Sequence, residues 1–182
     1  MIQYETKDSP FFITNKIYCT SIEQKLMTLN LDCVGFCNSY GYDIEANFHR
    51  NDLEYFIKLK KYQNTQGNIV LPRNSTEYAG CEIIIKGINE IFSFKLGRSQ
   101  LIRFLTTKEF KKILPSPYFL ITNIPSNHDS IEFCIQKILS DKISKIKIKN
   151  KKLICTINEQ ITDPVLLMND LETIIQKLAK GR

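Results

Sequence analysis

From Ile143 to Ile157 isoleucine and lysine alternate through Lys145, Ile146, Lys147, Ile148 and Lys149, and Leu153, Cys155 and Ile157 then repeat the period. A two-residue period puts successive side chains on opposite faces of an extended chain. The stretch therefore predicts a two-stranded hairpin with one apolar and one lysine face. It also holds the densest charge in the sequence, with Lys142, Lys145, Lys147, Lys149, Lys151 and Lys152 inside eleven residues. These six are the candidate anion-binding residues, because displacing counterions from a polyanion can drive binding to such a patch. The competing reading is that exposed lysines stop an edge strand from pairing with another chain. Nucleic-acid modules usually set stacking aromatics or arginines beside the charge, and this hairpin has neither, which favours the edge-protection reading.

The flanks of the hairpin carry helix signals. Asp163-Pro164 supplies an N-cap with proline at the first helical position, and Leu167, Leu171, Ile174, Ile175 and Leu178 give the helix that follows a buried face. Asp129-Ser130-Ile131-Glu132 is a capping box, with Ile131, Cys134, Ile135, Ile138 and Leu139 as its apolar stripe. With a buried strand over Tyr118 to Ile124, the order is β-α-β-β-α, one strand short of a ferredoxin-like unit. A sheet from the first half could complete it.

That first half reads as hairpins. Tyr42, Ile44, Ala46 and Phe48 alternate with polar residues, as do Tyr55, Ile57 and Leu59 beyond a polar turn at His49-Arg50-Asn51-Asp52. A second hairpin is expected from Glu82–Lys86 and Ile91–Leu96 about the turn Gly87-Ile88-Asn89. The start is read as irregular, Thr20-Ser21-Ile22-Glu23 as the box of a short helix to about Leu29, and Gln63 to Gly80 as a long surface loop. Ser99 is read as the N-cap of a helix running to Leu114, broken at Thr106-Thr107 and stopped by Pro115. The fold class expected is α+β: an antiparallel sheet of β-hairpins, then a helix and β-α-β-β-α, with one continuous core. Residues 1–182 are read as a single domain with sub-halves 1–98, mainly β, and 99–182.

The net charge of +6 comes from 20 lysines and only 5 arginines, beside 27 isoleucines and 14 asparagines, a bias that an AT-rich genome writes without selection for binding. Scarce arginine weakens a nucleic-acid reading, since planar bidentate phosphate contacts prefer it. The N-terminus lacks the basic start and apolar run of a secretory signal, and no apolar stretch approaches the roughly 18 to 20 residues of a membrane helix. A cytoplasmic protein without membrane insertion is expected. Six cysteines (Cys19, Cys33, Cys37, Cys81, Cys134, Cys155) would suit three disulfides in a secreted chain, but several lie at positions that the apolar period assigns to a core, and Cys134 and Cys155 read as small hydrophobes.

Cys33 and Cys37 come nearest to a redox or metal spacing, but a zinc site wants a second pair or two nearby histidines, and the chain has only His49 and His128. No metal or cofactor is expected. The carboxylates are scattered without a pair that the sequence brings together, and no glycine neighbourhood forms a phosphate loop. The leading functional reading is a non-enzymatic macromolecule-binding domain, with another protein as partner, acting through its sheet face or the loop 63–80. The alternative is an anionic-surface or nucleic-acid binder using the lysine hairpin at residues 142–152, and the third reading is a cysteine-dependent enzyme.

Overall fold

The computed structural model describes residues 1–5, 9–64, 76–88, 93–124 and 129–180. Its elements run β1 (Ile2–Tyr4), α1 (Pro10–Met27), β2 (Cys33–Asn38), β3 (Gly41–Arg50), β4 (Leu53–Asn64), β5 (Thr76–Lys86) and β6 (Phe94–Arg98). A 3-10 turn (Arg103–Leu105) and α2 (Lys108–Ile113) follow, then β7 (Tyr118–Thr122), α3 (Asp129–Ser140), β8 (Lys145–Lys149), β9 (Lys152–Ile157) and α4 (Pro164–Lys180). The strands form one nine-stranded sheet in the order β1-β2-β3-β4-β5-β9-β8-β6-β7, antiparallel except for β1 beside β2. The fold is α+β, as the alternating and 3.6-residue periods predict.

Two hairpin turns explain why the long strands stay in register. Asn51 and Asp52 have φ of 52° and 62°, and Asn150 and Lys151 have φ of 54° and 59°. Two consecutive left-handed residues match the twist of the strands they join, and Asn and Asp tolerate that conformation best. Arg50 accordingly faces Leu53, and Lys149 faces Lys152. Helices α1, α3 and α4 cover one face of the sheet. Ile22 and Leu26 of α1, Ile131 and Ile135 of α3, and Leu171 and Ile174 of α4 share one core with Tyr42, Ile57, Ile83, Ile146 and Leu153 from the strands.

The N-cap read at Asp163 is formed. The amides of Val165 and Leu166 both donate to its Oδ1 at 3.0 Å, and Lys25 Nζ of α1 donates to its Oδ2 at 3.0 Å. Burial pulls this carboxyl pKa upward, but the amide bonds and Lys25 outweigh it and hold the pKa below the ordinary value. A depressed folded pKa stabilises above the unfolded value of about 3.9 and loses that contribution as pH falls through the folded one. Asp163→Ala is expected to lower stability near neutral pH by about 0.5 to 2 kcal/mol. Urea titrations should show the gap to wild type narrowing below about pH 4.

Several expectations are corrected. The start is ordered: β1 pairs with β2, and α1 begins eleven residues earlier than read, where Ser9 Oγ accepts from Phe12 N at 3.1 Å and Pro10 opens the helix. Thr20-Ser21-Ile22-Glu23 therefore lies inside α1, and Glu23 ties the helix to β1 by accepting from Ile2 N at 3.4 Å and Tyr4 Oη at 3.4 Å. Cys33–Asn38 forms the strand β2. The loop 63–80 is shorter than expected, since β4 continues to Asn64 and β5 starts at Thr76; residues 65–75 lie outside the described residues.

The second hairpin does not form. β5 pairs with β9 and β6 with β8, so the lysine hairpin sits between the two strands expected to be partners. That placement overturns the edge-protection reading, because β8 and β9 are interior strands. The strand at Tyr118 is instead the sheet's outer edge, and its backbone is covered locally: Leu120 N donates to Thr106 Oγ1 at 3.0 Å, and Arg103 Nη1 to Tyr118 O at 2.6 Å. The Ser99 helix is corrected too. The segment holds only the 3-10 turn and α2, separated at Thr106-Thr107, and buries Phe110 and Leu114 while leaving Leu101 and Phe104 exposed.

Candidate binding face

The face of the sheet opposite the helices is uncovered by any helix among the described residues, and cross-strand register arranges its side chains in rows. One row reads Val34, Glu45, Lys58, Glu82, Thr156, Lys145, Gly97 and Phe119 from β2 to β7. The next reads Asn47, Phe56, Ile84, Ile154, Lys147, Lys95 and Ile121. A third sets Glu54, Lys86, Lys152 and Lys149 side by side.

The charges divide this face in two. On β3, β4 and β5 they are matched: Asp43 lies 3.0 Å from Lys60 and 3.8 Å from Lys58, Glu45 also pairs with Lys58, and Glu54 lies 3.0 Å from Lys86. The Asp43 hydrogen bond holds the Lys60 ammonium pKa above its ordinary value, so Lys60 stays charged at neutral pH. On β6, β8 and β9 no ion pair neutralises Lys95, Lys145, Lys147, Lys149 or Lys152 among the described residues. Lys95 stands directly opposite Lys147, and Lys149 opposite Lys152. Like charges at opposed positions cost stability, and an anion above them relieves that cost.

Of the six lysines singled out by sequence, the structure gathers four, Lys145, Lys147, Lys149 and Lys152, on the open face. Lys142 is in the turn after α3, with φ of 55°, and donates to Glu159 at 3.1 Å. Lys151 is at the hairpin tip, where its carbonyl accepts from Ile88 N at 3.2 Å. Sequence reasoning missed Lys95 as a member of the same basic region. Ser93 and Lys95 alternate with Phe92 and Phe94 in the sequence, which marks Lys95 as outward-facing, but nothing local reveals that β6 lies beside β8.

The cysteine candidates are placed differently. Cys33 and Cys37 are both buried on the core face of β2. Four residues along a strand span about 13 Å, too far for two thiolates on one metal. Burial pushes both thiols above their ordinary pKa and takes Cys81 and Cys134 up to about 12. Thiols so held are protonated and shielded, the reverse of an activated nucleophile. His49 is exposed on β3, and His128 lies outside the described residues. No group of three or more metal-ligating side chains occurs among the described residues, and no helix among them is long and apolar enough to cross a membrane. Comparison of the chain with protein-family models, with curated proteins and with solved structures found no match.

Proposed function

We propose that this chain is a non-enzymatic binding module whose open sheet face docks an acidic surface of another protein. The observation that carries the reading is the block of unmatched, mutually opposed lysines on β6, β8 and β9, set beside Phe56, Ile84 and Ile154 on an uncovered face. Folding does not require such opposition, and an acidic partner would relieve it while covering the half-buried apolar row. A protein fits better than a nucleic acid. Asp43, Glu45, Glu54 and Glu82 occupy the other half of the face, so a long polyanion crossing the sheet would run from lysines onto carboxylates. The hairpin cations Lys145, Lys147, Lys149 and Lys152 are lysines, without the planar bidentate fork that suits a nucleic-acid backbone.

The reading is tested by following backbone amide shifts while the protein is titrated with a short polyglutamate peptide and, separately, with single-stranded DNA. Polyglutamate is expected to shift β6, β8 and β9 selectively, and Lys145→Gln, Lys147→Gln and Lys149→Gln together should weaken it by about tenfold or more and flatten its salt dependence. DNA should bind only weakly. No polyglutamate shifts at low salt would remove the proposal, whereas DNA binding that survives about 200 mM salt and vanishes in the triple variant would establish the nucleic-acid alternative.

A further inference from the structure

The row containing Lys145, Gly97 and Phe119 has a gap in it, because Gly97 puts no side chain on the open face between a lysine and an aromatic ring. A Cβ at Gly97 would lie 3.2 Å from two atoms of the Phe119 ring, so the ring closes over the glycine backbone and forms a wall. Beside it is a cavity of about 460 Å³. That size is within the range of about 300 to 1,000 Å³ seen for small-molecule sites.

The lining has one sign of charge. Lys95, Arg98 and Lys145 border the cavity together with the polar side chains of Ser99, Thr156 and Asn158, and no carboxylate lines it. The Phe119 ring positions one of the cations without neutralising it, with Lys95 Nζ 5.5 Å from the ring centre, whereas the Arg98 guanidinium is held on the other face of β6, 5.1 Å from the centre of the Tyr118 ring. Two other cavities among the described residues differ. One mixes Lys142 with Asp141, Glu159, Asp163 and Asp170, and the other sets Lys58 and Lys60 beside Glu82. Their cations already have carboxylates.

We infer that the Gly97 cavity binds the phosphate group of a small molecule. Two lysines and several neutral donors suit the many acceptor positions of a phosphate better than the two oxygens of a carboxylate. The space exceeds what a phosphate alone fills, leaving room for the group that carries it. This inference deepens the docking proposal, since it rests on the same basic end of the open face, but it demands a localised pocket rather than a diffuse field.

The experiment compares two double variants that remove the same charge from the same face. Inorganic pyrophosphate is titrated into labelled protein at moderate ionic strength, and the amides of Ser99, Lys145, Thr156 and Asn158 are expected to shift saturably. Lys95→Gln with Lys145→Gln should weaken this binding by about tenfold or more through lost charge-assisted hydrogen bonds, and Lys147→Gln with Lys152→Gln by about twofold or less. Gly97→Ala, which intrudes on the cavity wall without changing charge, should also weaken it. Equal weakening by both pairs, or no saturable shift at all, would overturn the pocket. Polyglutamate separates the two proposals: it should weaken with either pair, and its binding with no pyrophosphate site would defeat the pocket alone. Pyrophosphate binding without polyglutamate binding would instead defeat the docking surface and leave the pocket.

Discussion

Leu171→Ala is expected to lower the unfolding free energy by about 2 to 5 kcal/mol, the usual range for truncating a fully buried leucine and leaving a cavity. Leu171 has no solvent exposure, and it belongs to the α4 face that shares the core with α3 and the central strands. The core it shares is built largely of branched aliphatic chains on regular elements, which can collapse only partly into the gap. Urea unfolding at neutral pH should show a lower midpoint with an unchanged slope. A neutral result would mean that α4 is rotated about its axis, because exposed leucines are the ones that can be removed at little cost.

Gly41→Ala is expected to be comparably damaging for a backbone reason. Gly41 begins β3 with φ of 153°, and an added Cβ would lie 1.8 Å from the carbonyl oxygen of Lys61 on the neighbouring strand. No rotamer can relieve a clash with main chain. A side chain in that conformation costs about 1 to 3 kcal/mol, and forcing the strands apart about 1 to 3 more, for a loss of about 2 to 6 kcal/mol. The Asn38 side chain, which accepts from the amides of Tyr40 and Gly41 at 2.9 and 3.0 Å, would be disturbed with it. The check is the same urea titration, joined by amide exchange in β3 and β4. Retention of wild-type stability would mean that the turn is looser than drawn.

What was legible in the chain was whatever a local pattern writes. The lysine hairpin and the helices α3 and α4 were read at close to their true bounds, because each has a clean period and a recognisable start. Helix α1 was not, since Ile13 and Ile17 are exposed on the side opposite its buried Phe12, Cys19, Ile22 and Leu26, which blurs the amphipathic period. Strand pairing was legible only across tight turns. β3 with β4 and β8 with β9 were found, whereas β5 and β6 were joined wrongly because proximity in sequence was the only guide. The basic region was half legible for the same reason: the hairpin lysines announce themselves, but Lys95 reaches them through a pairing that no local signal encodes.

The hairpin between β5 and β6 also sets the order in which the molecule can be completed. β5 waits for β9, roughly seventy residues further along, so loop closure across that span precedes the contacts that reward it. On the ribosome, β2 to β5 can assemble as a local meander while the outer hydrogen-bonding edge of β5 stays open until β9 has emerged. Over that interval the nascent half-sheet is adhesive, with Ile83 and Ile85 awaiting the layer that α4 supplies. α4, made after β9, is thus the helix that completes this side of the core.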